Sequence, residues 1–274
     1  MEIRRKSMEK QPLISIKDVR KVYKVANGKD VNALDGVTLD IFENEFVCVV
    51  GPSGCGKTTL LNIVAGLEPY DSGTVKMNGH DIVGPGPDRG VIFQQYALFP
   101  WMTVKKNIEY GMKFLTKDDG TKYTAEEKSA LADKYIKMVN LNGFENSYPK
   151  ELSGGMKQRV AIARGYAVNP KVLLMDEPFG ALDAQTRAQL QEELLATWEA
   201  QRKTCFFITH DVDEAVLLAT KVVVMSARPG QIKEIIDIKL PYPRNQATKL
   251  DPEFIKVKNY IWDTVYKMYL EVRK

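Results

Sequence analysis

"FVCVVGPSGCGKTT", residues 46 to 59, joins an apolar run to a glycine-rich turn. Its first five residues have the composition of a strand buried in a parallel sheet. The next nine fit the spacing G-x-x-x-x-G-K-[ST], with Gly51, Gly56, Lys57 and Thr58 at the fixed positions. Glycines let the backbone wrap with its N–H groups turned inward, and a helix begun at "KTTLLNIVAGL" adds the positive end of its dipole. A polyphosphate fits such a cradle. Gly51, Pro52, Ser53, Gly54, Cys55, Gly56, Lys57, Thr58 and Thr59 are therefore expected to hold a nucleoside triphosphate. Lys57 would reach the β- and γ-phosphates, and the Thr58 hydroxyl would ligate Mg²⁺.

Outward from this loop, the chain reads as globular. It has 274 residues, 44% of them hydrophobic and 27% charged, enough for a sizeable core in one or two domains. The net charge of +4 is small for this length, and basic residues cluster only at "RRK" (4 to 6), which reads as a solvated tail. A nucleic-acid footprint is not expected. Cys48, Cys55 and Cys205 lack metal-ligand spacing and are expected as reduced thiols in a cytosolic compartment. The most apolar stretch, "AVLLATKVVVM", is interrupted by Thr220 and Lys221, so a soluble chain without a membrane span or signal peptide is expected.

The pattern divides the chain into three parts. Short β-rich runs from about Leu13 to Phe93 surround the helix after the phosphate loop. From about Thr103 to Asn169, "TVKKNIEYGMKFL", "TAEEKSALADKYIKMVN" and "SGGMKQRVAIARGYAVN" read as helices, with "LTKDDGTKYTAEEK" containing a solvated loop. "KVLLMDE", "TCFFITH" and "KVVVMSA" then return as buried strands separated by helical stretches, the alternation of a parallel sheet covered by helices. The C-terminal "DPEFIKVKNYIWDTVYKMYLEVRK" reads as an amphipathic helix, with Phe254, Val257, Ile261, Val265 and Met268 near one face suited to core packing.

Three further segments carry chemistry. "VLLMDEP" ends a buried strand in two carboxylates, at the sheet edge where ligands collect. Asp176 is placed to hold magnesium, and Glu177 to act as the base that activates a water for attack on the γ-phosphate. His210 ends the next strand, "FFITH", on the same rim, where its imidazole could bond the γ-phosphate and the lytic water; His80, in "NGHD", reads as a turn residue. "LSGGMKQR", residues 152 to 159, opens a helix on Ser153, Gly154 and Gly155. Its free N–H groups point at an anion, yet no lysine follows Gly155 directly, the position a phosphate loop would give it, so it is half an anion site. The plainer alternative is a helix capped by Ser153.

Together these segments resemble the ATP-binding cassette (ABC) ATPase family. Seven elements occur in family order: Tyr23, the phosphate loop, Gln94 in "VIFQQ", "LSGGMKQR", "VLLMDEP", "ALD" at 181 to 183, and His210. The resemblance implies an α/β phosphate-loop NTPase: a mostly parallel sheet core, an antiparallel β subdomain and an inserted α-helical subdomain. It spans 13–240, with the helical part at about 95–169, a tail at 1–12 and a helical extension at 241–274. It further implies a homodimer with ATP sandwiched between subunits, so that Ser153, Gly154, Gly155 and Gln158 of one copy close over the nucleotide of the other. Tyr23 would stack on adenine, although an aromatic in a strand is also ordinary core. Gln94 would be a magnesium and water ligand, with Gln95 the competing choice, and Asp183 would meet the other subunit.

A single cassette without coiled coil or zinc motif resembles transporter motors more than relatives acting on nucleic acid or ribosomes. "YALFPWMTVKKNIEYG", "SARPGQI" and "LPYPR" resemble the nitrate, sulfonate and taurine importer branch. That likeness implies integral membrane permease subunits as partners, an extracytoplasmic solute-binding protein indirectly, and a peripheral location on the cytoplasmic face of the cell membrane. "LFPW" would help dock a permease helix. Finally, Cys55 within the loop is expected to carry a depressed thiol pKa and to block nucleotide binding when alkylated.

Overall fold

The computed structural model describes residues 11–272 except 27, 118 and 228. The basic run at 4 to 6, most of the 1–12 tail and part of "SARPGQI" therefore lie outside the described residues. In chain order the elements begin β1 (Ile14–Tyr23), β2 (Val31–Ile41), β3 (Phe46–Val50), α1 (Lys57–Ala65), β4 (Ser72–Met77), β5 (His80–Asp81) and β6 (Arg89–Ile92). Three helices follow, α2 (Val104–Gly111), α3 (Ala125–Met138) and α4 (Gly154–Ala167). The chain then runs through β7 (Val172–Asp176), α5 (Ala184–Gln201), β8 (Thr204–Ile208), α6 (Val212–Leu218), β9 (Lys221–Met225), β10 (Ile232–Asp237) and α7 (Pro252–Val272).

A six-stranded sheet has the order β10-β9-β3-β8-β7-β6. Its pairings are parallel except that β10 runs antiparallel on the edge of β9. β10 was not anticipated: its alternation of half-buried and exposed residues gives a weaker signal than the continuous apolar runs of the central strands. An antiparallel sheet of order β2-β1-β4-β5 forms the second layer. His80 lies in the two-residue strand β5 rather than in the turn expected for it, because its backbone pairs with Met77.

The period of two along each central strand explains the layering. Phe46, Cys48 and Val50 of β3 face one core, as do Leu173 and Met175 of β7 and Cys205 and Phe207 of β8. That core also holds α5, α6 and the helical lobe, with Trp198 packed edge-on against Phe46. Val47 and Val49, Val172 and Leu174, and Phe206 and Ile208 face the opposite core, which α1 shares with the antiparallel sheet. A strand that buries both faces favours apolar residues at successive positions, so polar residues fall at the strand ends, as with Thr204, Lys221 and Asp176.

Local signals set the helix starts. Thr103 caps α2, Thr124 forms a capping box with Glu127 on α3, and Asp183 and Asp211 cap α5 and α6. α2, α3 and α4 lie between β6 and β7, so the helical lobe interrupts the sheet sequence. The described residues of the polar stretch before α3 are mostly exposed, as a solvated loop requires, and are pinned by a β-bridge between Thr116 and Lys122 and by Lys117 N donating to Thr121 O at 2.8 Å. The C-terminal helix packs as its pattern requires: Phe254, Ile261 and Met268 are buried and Val257 and Val265 pack beside them. Among the described residues, no helix is long and apolar enough to cross a membrane.

Candidate functional site

The phosphate loop connects β3 to α1, so the buried strand delivers Gly51 to the C-terminal edge of the parallel sheet. Two glycines are sterically required there. A Cβ on Gly51 would lie 2.4 Å from the Met225 carbonyl, and Gly56, at φ +88°, leaves 2.6 Å to the Ala33 carbonyl. The loop, Tyr23, Val31, Ala33 and Glu177 enclose a cavity of about 350 Å³. Lys57 is nearly buried, and its ammonium donates to the carbonyls of Gly51 (2.9 Å) and Pro52 (3.3 Å). Tyr23 stands at the cavity mouth, half-exposed, with its hydroxyl 3.4 Å from Thr59 Oγ1. The Lys21 ammonium stands 5.0 Å from the centroid of its ring, and the residue is more exposed than a core aromatic.

The carboxylates arrive on β7. Asp176 Oδ1 accepts from Thr58 Oγ1 at 3.2 Å. Burial raises the Asp176 carboxyl above its ordinary range, and the neighbouring Glu177 adds to this, while the Thr58 bond and the Lys57 charge oppose it. Glu177 sits at φ +43°, a left-handed conformation uncommon for this residue type. Its Oε2 lies 3.1 Å from His210 Nδ1 and 3.4 Å from Gln94 Nε2. Gln94, Glu177 and His210 thus follow the ends of β6, β7 and β8, and Gln94 and His210 converge on one carboxylate oxygen of Glu177. The geometry favours Gln94 over Gln95 at this point. Thr58 and Asp176 form a hard-oxygen pair of the kind Mg²⁺ prefers. Among the described residues no three His, Cys, Asp or Glu cluster as metal ligands, so an ion here would rely on this pair, a neutral donor such as the Gln94 amide oxygen, water and phosphate oxygens.

Ser153, Gly154, Gly155 and Asp183 do not line the same chain's phosphate cavity. Ser153 caps α4 by accepting from Met156 N, at 3.3 Å. A Cβ on Gly155 would meet Thr186 Cγ2 at 2.5 Å, so the helix start is pressed against the start of α5. Asp183 Oδ1 accepts from Gln185 N (3.1 Å) and Thr186 N (3.0 Å), and these bonds hold its carboxyl below the usual range. The start of α4 therefore lies outside the cavity formed by the phosphate loop of the same chain.

Two expectations are corrected. Gln158, expected among the nucleotide ligands, is fully buried in α4 with both amide atoms unpartnered, so it offers nothing to a nucleotide at the surface. Cys55 has its thiol buried, and burial raises its pKa although the Lys57 charge pulls the other way. The helix dipole loses because the Sγ points into the core beneath the loop; only the backbone of Cys55 serves the cradle. Sequence reasoning also missed Val31 and Ala33 on the cavity wall and Gly230 behind the loop, where a Cβ would come within 2.3 Å of the Cys55 carbonyl. The glycine in "SARPGQI" was the available signal.

A family model described as ABC transporter matches residues 34–180. An uncharacterized ABC transporter ATP-binding protein of Methanocaldococcus jannaschii is 51% identical over 93% of this chain and 93% of its own length. The nitrate import ATP-binding protein NrtD of Synechocystis is 47% identical over 90% of this chain and 93% of its own. The aliphatic sulfonates import ATP-binding protein SsuB of Bacillus cereus is 46% identical, covering 89% and 93%. Among solved structures, a dimeric post-hydrolysis state of the ATP-binding cassette MJ0796 with ADP and Pi superposes with a TM-score of 0.73 at 32% identity, over 83% of this chain and all of that one. Motif order, fold and these likenesses agree: the chain belongs to the ABC transporter family, as an ATP-binding, ATP-hydrolysing subunit.

Proposed function

We propose that this subunit powers an importer for a small solute, namely nitrate, a sulfonate, taurine or a relative. The observation that carries the reading is the similarity, over about nine-tenths of the chain, to subunits named for nitrate and sulfonate import. Those two relatives are equally similar and differ in solute, as expected if selectivity resides in membrane and solute-binding partners.

Each residue would act through its position. Two copies pack head to tail, and Ser153, Gly154 and Gly155 of one close over the γ-phosphate held by Lys57 and the loop N–H groups of the other. Asp183 lies at that interface, and Tyr23 stacks on adenine. Glu177 accepts the proton of the attacking water, while His210 and Gln94 hold the carboxylate and the water in line. A magnesium ion held by Thr58, Asp176 and Gln94 would neutralise charge on the phosphates. Loss of the γ-phosphate removes the group on which both copies depend, so the dimer reopens.

The reading also needs a membrane-facing surface. Phe99 contacts Trp101, Tyr110 and Phe114 follow in series, and Trp101 and Phe114 are about 70% exposed (69% and 70%). That exposure goes beyond ordinary packing of "LFPW" on the sheet. The Phe114 end borders a cleft of about 520 Å³ between the sheet edge and the helical lobe, lined by Pro85, Pro87, Gly111 and Val168. A short permease helix at the cytoplasmic membrane face would dock there and turn dimer closure into transmembrane movement. The test is a pull-down of tagged Glu177→Gln protein with ATP from gently solubilised native membranes, followed by solute uptake with the recovered complex. A multi-span partner and ATP-driven uptake of nitrate or a sulfonate are expected. Recovery of ribosomes or nucleic acid in their place would refute the transport reading.

A further inference from the structure

Behind the rim that carries His210 lies a polar network for which the site described above has no use. Glu214 on α6 is 4% exposed, and its Oε1 accepts from Gln191 Nε2 at 2.9 Å. Its backbone N–H donates to Asp211 Oδ1 at 3.2 Å, and Asp211 N donates to Thr209 Oγ1 at 3.0 Å, so the network brackets His210 on both sides. Asp211 Oδ2 is 3.8 Å from Arg187 Nη1. Arg187 Nη2 in turn donates to the Leu182 carbonyl at 2.9 Å, one residue before Asp183. On the far side, Gln246 Nε2 donates to Gln191 Oε1 and to the Ala188 carbonyl, both at 3.2 Å, and Gln246 N donates to Glu192 Oε1 at 2.9 Å.

We propose that Arg187 and Glu214 are positioning residues that fasten the turn bearing His210 to the turn bearing Asp183, and that Gln246 ties this fastening to the C-terminal segment. The inference rests on the reading of His210 as a site residue. It joins the γ-phosphate sensor of one half-site to the subunit-contact turn of the other half-site on the same chain, a link that a closing dimer requires. Three observations favour positioning over plain packing. A buried carboxyl costs stability that an apolar residue of similar volume would not, and burial pushes Glu214 up to about 7. Arg187 spans two loops rather than one helix face. Its Nε is also buried without a partner, so the guanidinium is held for direction at the expense of full pairing.

The test uses the purified full chain, comparing Arg187→Met, Glu214→Leu and Gln246→Ala with His210→Ala for ATP hydrolysis, and recording melting temperatures alongside. Arg187→Met and Glu214→Leu, which removes the acceptor for Gln191, should each lower kcat by about tenfold or more with KM for ATP unchanged within about twofold, because misplacing a catalytic group costs rate rather than binding. Arg187→Lys should recover part of the loss. Gln246→Ala should show a smaller fall in kcat, since it acts through Gln191. If His210→Ala lost activity while the Arg187 and Glu214 variants kept normal kcat, the fastening would be refuted and the site reading would stand. Losses that merely tracked lowered melting temperatures would also refute it, as ordinary packing. If His210→Ala itself hydrolysed ATP normally, the site reading would fall, and the fastening with it.

Discussion

Replacing Glu214 by glutamine should make the stability of this protein less dependent on pH. The carboxyl lies within the fold, and desolvation raises its pKa from an ordinary 4.5 to about 7, with bonds from Thr209 and Gln191 opposing the rise and nearby Asp211 adding to it. The folded chain thus keeps a proton that the unfolded chain has already released. The stability this group contributes is therefore fully present below about pH 4.5 and is lost as pH rises toward 7, where the buried group finally ionises. That interval corresponds to about 3 kcal/mol. Glutamine keeps the volume and an acceptor for Gln191 but cannot ionise. Thermal unfolding of both proteins at pH 5 and pH 8 isolates the effect. At pH 5 the variant should be the more stable by only about 1 kcal/mol, and at pH 8 by about 3 kcal/mol, or roughly 6–12 °C for a chain of this size. The same difference at both pH values would refute the burial argument.

Other perturbations test separate parts of the structure. All three cysteines are buried, so a bulky maleimide should leave the native chain unlabelled and react only after unfolding; rapid labelling of Cys55 in the folded protein would contradict its inward orientation. Gly155→Ala places a Cβ 2.5 Å from Thr186 Cγ2, so hydrolysis should fall about tenfold or more with ATP affinity of the single chain kept. Adding Thr186→Ser, which removes that methyl, should restore much of the rate, and no restoration would show that the contact is not the cause. Phe254→Ala deletes a fully buried anchor of α7, with an expected loss of about 3–5 kcal/mol in urea unfolding. A loss below 1 kcal/mol would show that α7 is not part of the cooperative core.

What could be read in the sequence followed from how strictly chemistry ties residue type to position. Gly51, Gly56 and Lys57 form a pattern with one physical purpose, and the runs ending in Asp176 and His210 have the apolar continuity that only doubly buried strands need. Sheet order was not legible, because parallel neighbours such as β3 and β8 are more than 150 residues apart and their pairing leaves no local trace. Side-chain direction within loops and helix starts was equally hidden. Cys55 sits among phosphate-binding backbone groups yet turns its thiol inward, and Gln158 belongs to a nucleotide-associated stretch yet faces the core. The Arg187–Glu214 network escaped notice for a third reason: its members come from different elements and meet only in the folded chain.

The central claim is that two chains sandwich ATP and that Glu177 removes the proton from the attacking water. Its most direct test is the solution mass and hydrolysis rate of Glu177→Gln with ATP and Mg²⁺, measured by light scattering and phosphate release. The account predicts a stable dimer with ATP and turnover reduced by about 100-fold or more, the scale of losing a general base. A variant that stayed monomeric with ATP, or hydrolysed it at the unmodified rate, would contradict it.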